Sequence, residues 1–163
     1  TKPFEWTFLW GGNETAGSPS VAKRVGLPVS EVAAILRRDL AEGKYILTGS
    51  LSEEVFDDAC RFVDPNNAVE GLAQYRRALS LLFDPAESSL EVLDVHVSPD
   101  GMGVQADYVA SGVIKLPWRP KILPWQGHIE YTLNKEGLVV SQVDTWNISR
   151  FDAIRQTFLL PPG

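Results

Sequence analysis

Apolar residues follow two different periods along this chain, and the change from one to the other predicts its architecture. From Ser30, a suitable N-cap, Val32, Ile35, Leu36 and Leu40 recur at helical spacing until Gly43 and predict a first helix. Ser52 is placed to cap a short second helix through Val55 and Phe56, leading into the brief strand of "CRFVDP", which Pro65 stops. A third helix is expected over about residues 69–83, with Leu72, Tyr75, Leu79, Leu82 and Phe83 on one face and Asp84-Pro85 at its end. The period then becomes two. Leu93, Val95 and Val97 alternate with Asp94 and His96, and Pro99-Asp100-Gly101 turns the chain. Val104, Ala106, Tyr108, Ala110, Gly112, Ile114 and Leu116 then share one face of a long strand. Ile129, Tyr131 and Leu133 precede a turn at 134–137, residues 139–148 supply the last strand, and a short helix is expected from about Ser149. Helices first and four antiparallel strands afterwards define an α+β class.

Ahead of this body, residues 1–28 hold scattered Gly and Pro with no sustained period, and read as an N-terminal arm to a domain at 29–163. Phe4, Trp6, Phe8 and Trp10 alternate, so the arm is expected to dock in extended form. The chain starts at Thr1 and not Met, so an upstream segment is expected to have been removed.

Composition narrows the function classes. A formal charge of −6, with basic residues only in short scattered pairs, argues against nucleic-acid binding. No apolar run is long enough for a transmembrane segment. Cys60 is the only cysteine and His96 and His128 the only histidines, so neither a disulfide nor a metal site is expected. No phosphate loop or dinucleotide fingerprint appears, and no cofactor is called for.

The element order, with "DDACRFVDPNNAVEGLAQYRRAL" at its centre, resembles the nuclear-transport-factor-2-like (NTF2-like, or SnoaL-like) superfamily over residues 30 to about 158. The resemblance implies a curved, mostly antiparallel sheet and three helices forming a cone around a pocket, with homodimerisation through the open sheet face. "YILTGSLSEEVFDDACRFVDP" and "KLPWRP" look like hallmarks of uncharacterised plant and cyanobacterial members, which implies a chloroplast protein freed of its transit peptide.

Strand parity in such a cone places Phe62 and Asp64 on one face of the first strand and Gln142, Asp144 and Trp146 on one face of the last, joined by Ile129 and Tyr131. Asp64 matches the general base of the ketosteroid isomerase branch, and Tyr75 matches a supporting tyrosine. The oxyanion tyrosine of that branch falls near Glu42 and its protonated aspartate near Ile129, so the oxyanion hole is expected to be missing. Asp64 is alternatively a turn residue bonding the backbone after Pro65. Cys60 is expected to be buried and inert, and both histidines exposed.

"LPWRPKILPWQGH", residues 116–128, interrupts the strands with three prolines that cannot donate to a ladder, and reads as a rigid rim between them. Trp118, Arg119 and Trp125 on it are candidate partner contacts, including peripheral contact with a membrane; the two rings alternatively cover the cone's end. Two functions follow. One is a non-catalytic module binding a protein partner or small apolar ligand through Phe62, Tyr75, Ile129, Tyr131, Gln142 and Trp146. The other is a cofactor-independent hydrolase, dehydratase or isomerase using Asp64 and Asp144.

Overall fold

In the computed structural model, which describes residues 20–65 and 67–146, three helices pack on a six-stranded curved sheet, an α+β cone. Helix α1 spans Val29–Ala41. It starts one residue before the expected cap, because the Pro28 carbonyl accepts from Glu31 N and Val32 N at 3.0 and 3.1 Å. Its apolar stripe of Val32, Ile35, Leu36 and Leu40 enters the core.

A four-residue helix α2, Tyr45–Thr48, lies where no helix is expected from sequence. Left-handed Lys44 and Gly49 bracket it, with φ of 49° and 75°. At Gly49 a Cβ would meet the Arg76 carbonyl oxygen at 2.6 Å, so this turn needs glycine for space as well as for φ. Ser52 precedes a single 3-10 turn, Glu53–Val55, not a helix, and does not cap it. Its N–H and hydroxyl instead donate to buried Asp39 at 2.8 and 2.9 Å.

Strand β1 is Phe56–Val63, longer than expected, and the start of the predicted third helix is in fact strand β2, Ala68–Glu70. Glycine separates the two fates: Gly71, at φ 111°, donates its N–H to Cys60 O at 3.0 Å, and helix α3 begins only at Leu72 and runs to Leu82. Asp84 ends that helix and accepts from Ala86 N at 3.0 Å, opening the 3-10 turn Pro85–Glu87.

The strands β3 (Ser89–Val97), β4 (Gly103–Val113), β5 (Lys121–Leu133) and β6 (Val139–Trp146) form an antiparallel run, and β1 joins β6 in parallel, giving the order β2-β1-β6-β5-β4-β3. Helix α1 packs on β3 and β4, and α3 on β1 and β2. The buried arc of the sheet includes Phe62, Tyr108, Ile129 and Tyr131. Register shifts in four strand pairs mark the bulges that bend a sheet.

One such bulge overturns the reading of the proline segment. The connection is only 114–120, since β5 already pairs at Lys121. Between the pairs Gly112↔Ile122 and Ala110↔Trp125 the chain of β5 gains one residue, and Pro124 sits there, where a missing N–H costs no ladder bond. The extra residue also shifts parity, so that Ile122 and Trp125, three apart, both point inward while Leu123 is 65% exposed.

The arm's first nineteen residues and the expected helix near Ser149 lie outside the described residues. Residues 20–28 run against the body: Arg24 N bonds Glu54 O at 2.9 Å, Gly26 N bonds Glu136 O at 2.8 Å, and Lys23 pairs with Asp58 at 2.7 Å.

Candidate functional site

Cross-strand register places the site's inward side chains in rows. Phe62 of β1 faces Gln142 of β6, which faces Tyr131 of β5; one step along, Asp144 faces Ile129, and Trp146 faces Gly127. Helix α3 lays the Tyr75 ring flat on Phe62, with centroids 3.7 Å apart and planes within 7°. Trp125 stacks on Phe83 and meets Trp146 edge-on. Between these rings opens a narrow cleft lined by Phe62, Asp64, Tyr75, Trp125, Asp144 and Trp146, with Gln142 at its floor.

Its cavity volume is about 40 Å³. That is room for a few water molecules at roughly 10–15 Å³ each, and short of the roughly 150 Å³ that accommodates benzene. A bound organic molecule therefore requires a ring to yield, and half-buried Trp146, at the end of β6, is the one placed to do so.

Two hydrogen-bond systems reach the cleft. In the first, the Tyr45 and Tyr131 hydroxyls bond each other, Tyr45 O–H donates to Gln142 Oε1 at 2.9 Å, and Gln142 Nε2 donates to the Tyr75 hydroxyl at 3.1 Å. In the second, Trp125 Nε1 donates to the Tyr108 hydroxyl at 3.4 Å, and Tyr108 O–H donates to Asp144 Oδ2 at 2.8 Å. Gly127 makes this possible. It pairs with Tyr108, and a Cβ there would stand 2.2 Å from the ring.

Asp144 is 7% exposed, and its Oδ1 has no hydrogen-bond partner among the described residues. Burial pushes its carboxyl up to about 8; the Tyr108 hydroxyl and the Trp146 indole favour the charged form, while the nearby Asp64 charge opposes it. Asp144 thus passes between acid and base near neutrality. Burial likewise raises the hydroxyls of Tyr45, Tyr75, Tyr108 and Tyr131, so all four remain protonated donors.

Asp64 behaves differently. Its Oδ1 accepts from Asn67 N at 2.8 Å and from Asn67 Nδ2 at 3.4 Å, and its N–H bonds Asn67 O at 2.9 Å. It closes the β1–β2 turn, as the alternative reading required, and also lines the cleft.

Of the other expected site residues, Phe62, Tyr75, Gln142 and Trp146 reach the cleft. Ile129 and Tyr131 are buried behind it, and Tyr131 acts on it only through Tyr45 and Gln142. Trp125 corrects the partner-contact expectation: it points inward, where it is 3% exposed and forms part of the cleft wall. Arg119, at φ 45°, pairs with Asp84 at 2.6 Å and with Glu87, fastening the loop to the end of α3. Trp118 beside it is half-buried, with its indole N–H unpartnered among the described residues.

Glu42 is exposed at the end of α1 and supplies no tyrosine, yet Tyr45, three residues on, brings a buried hydroxyl into the cone. Sequence reading missed Tyr45 and treated Tyr108 as core; the available signal was Gly127, a strand glycine opposite an inward tyrosine. Cys60 is 1% exposed, and burial pushes its thiol up to about 12, which leaves it inert. His96 bonds Asp94 and Gln105, and His128 bonds Asp107 at 2.8 Å, both away from the cleft. Among the described residues no three His, Cys, Asp or Glu side chains converge as a metal site needs.

A cone of helices on a curved sheet, with a cleft between aromatic rings that buried Asp144 lines, is the NTF2-like, SnoaL-like fold. Known structures share it. A protein named as a SnoaL-like polyketide cyclase, from Jannaschia sp. CCS1, matches with a TM-score of 0.61 at 17% identity, covering 86% of this chain and all of that one. PrhC from Penicillium brasilianum NBRC 6234 matches at 0.57 and 9% identity, over 82% of this chain and 91% of its own. The epoxide hydrolase/cyclase-like enzyme SalBIII, from pyran ring formation in salinomycin, matches at 0.55 and 16% identity, over 76% and 97%. No curated protein matches the chain. Within this fold, the chain belongs to the family described as "Uncharacterized conserved protein (DUF2358)", whose model matches residues 30–142.

Proposed function

We propose that the cone is a small-molecule-binding module that seats a small, largely apolar ligand between Tyr75, Trp125 and Trp146, without a cofactor. The observation that carries this reading is Asp144, held in an aromatic cleft with one carboxyl oxygen unpartnered among the described residues. Leaving such a group unsatisfied costs about 1–3 kcal/mol, and a hydrophobic residue there avoids that cost. Apolar clefts with a few convergent polar groups are the usual form of ligand sites. Titrating the protein with planar aromatic compounds and following tryptophan fluorescence tests it. Saturable quenching, lost when Val69→Trp fills the cleft, is the expected result; quenching that is absent, or indifferent to that substitution, overturns it.

A second reading is favoured by one observation, the presence of Asp64 and Asp144 on the same cleft. Here Asp144 donates and recovers a proton in a cofactor-free hydrolysis, dehydration or isomerisation. It requires a compound that turns over with wild type and only binds to Asp144→Asn. The neighbours named above as a polyketide cyclase and an epoxide hydrolase/cyclase-like enzyme support looking among reactions of that kind. The chloroplast setting is proposed from the hallmark segments, and a tagged full-length protein found in the cytosol overturns it.

A further inference from the structure

The hydrogen-bond chain behind the cleft has a direction, and that direction selects the ligand. Four groups are joined in series, Tyr131, Tyr45, Gln142 and Tyr75, and their protons can be ordered in three ways. In one, Tyr131 donates to Tyr45, Tyr45 to Gln142 Oε1, and Gln142 Nε2 to the Tyr75 oxygen. The Tyr75 proton is then unclaimed. In the other two, the Gln142 amide is turned over and Tyr75 donates to it; Tyr45 then either donates to Tyr131, which leaves the Tyr131 proton unclaimed, or accepts from both Gln142 and Tyr131, which leaves its own proton unclaimed.

The two ends are not equivalent. Tyr131 is 2% exposed and Tyr45 fully buried, and among the described residues neither bonds a side chain outside this series, so a stranded proton on either is dry and unsatisfied. Tyr75 is half-buried on the cleft wall, where water or a ligand can accept from it. Either order with the amide turned over carries the larger penalty, and the bonds run outward, from the sealed interior to the cleft.

We infer that the Tyr131–Tyr45–Gln142 chain commits the Tyr75 hydroxyl to donate into the cleft, making it the specificity element for a neutral apolar ligand that carries one acceptor oxygen. Neutrality follows from the neighbours. Asp64 lines the cleft, and its charge, which already disfavours ionisation of Asp144, opposes an anion, while the aromatic walls accept the ligand's body. Tyr75 is the contact residue; Tyr45, Tyr131 and Gln142 are positioning residues that set its proton.

The inference rests on the small-molecule reading, and three shape-matched probes separate the two: acetophenone labelled with ¹³C at the carbonyl, ethylbenzene, and benzoate, titrated into the full chain by NMR. Acetophenone is expected to bind about tenfold tighter than ethylbenzene, one net hydrogen bond's worth, with its carbonyl resonance moved downfield. Benzoate is expected to bind most weakly. Tyr75→Phe is expected to equalise acetophenone and ethylbenzene and abolish the downfield shift. Tyr45→Phe, which frees the Gln142 amide, is expected to keep the ethylbenzene affinity but only part of the preference.

Equal binding of the two neutral probes by wild type, or a preference that survives Tyr75→Phe, overturns the inference while the small-molecule reading stands. A full preference in Tyr45→Phe removes the positioning role, and benzoate binding above acetophenone removes the selection for neutrality. If no probe binds, both readings fall together.

Discussion

Two aspartates line one cleft, and their surroundings make them different groups. Asp64 sits where a strand turns, so backbone and side-chain N–H groups of Asn67 come to its carboxylate, and the residue is held by the same bonds that close the turn. Asp144 sits within β6, where the ladder has already used the neighbouring backbone groups, and the donor that bonds it is the Tyr108 hydroxyl, at 2.8 Å, with the Trp146 indole also favouring its charge. Position in the strand decides how many donors a carboxylate meets. The turn makes Asp64 part of the scaffold, while the strand interior leaves Asp144 to the cleft.

The largest test breaks the Asp144 side of this contrast without touching Asp144. A Cβ at position 127 would stand 2.2 Å from Tyr108, whose ring is wholly buried and has nowhere to retreat. Gly127→Ala is expected to lose about 3 kcal/mol of stability by overpacking, read from chemical denaturation. A loss below about 1 kcal/mol shows that the ring can move and that Tyr108 does not fix the acid.

Next in size, taken per pH unit, is the titration of Asp144. Its carboxyl ordinarily titrates near 3.8 and is pushed up to about 8 in the fold. Between those values the unfolded chain has released its proton and the folded chain holds it. The stability this group contributes is therefore fully present below pH 3.8, is lost as pH rises to about 8, and then levels off. Within that window the slope is that of one proton, about 1.4 kcal/mol per pH unit. Asp144→Asn keeps an acceptor for Tyr108 and cannot ionise, so denaturation midpoints from pH 4 to 9 are expected to flatten relative to wild type. Parallel curves for the two proteins show that Asp144 is ionised throughout.

How much of this was legible in the sequence follows from how local each cause is. The helical stripe of α1, the parity that puts Gln142 and Asp144 on one face, and the turn role of Asp64, one of two alternatives for it, depend on a few neighbouring residues and follow from pattern; that the shared face is the inward one follows from the family resemblance. The "LPWRPKILPWQGH" segment reads as a connection because its prolines suggest that pairing stops, whereas β5 already pairs at Lys121 and a bulge takes in Pro124. Trp125 shares the inward face of Ile129 and Tyr131, and is a wall of the cleft once the strand is extended back to include it. Strand β2 hid within an apparent helix, because Ala68, Val69 and Glu70 acquire strand geometry only by pairing with β1. Tyr45 was missed for a further reason: its hydroxyl gains meaning from Tyr131 and Gln142, 86 and 97 residues away.

The smallest expected effect sharpens the comparison most. Asparagine can accept the same bonds in the β1–β2 turn, so Asp64→Asn is expected to cost less than about 0.5 kcal/mol, whereas Asp64→Ala, which loses them, costs about 1 kcal/mol. The two carboxyls nevertheless feel each other, because the Asp64 charge helps hold Asp144 above its ordinary range. Removing that charge while keeping the turn is therefore expected to move the Asp144 inflection to lower pH, with midpoint stability at pH 4 nearly unchanged. A two-dimensional NMR titration of the Asp144 carboxyl, in wild type and Asp64→Asn, reads it directly. An inflection that stays in place means the groups share a cleft without sharing charge, which removes the basis for their acting as an acid–base pair.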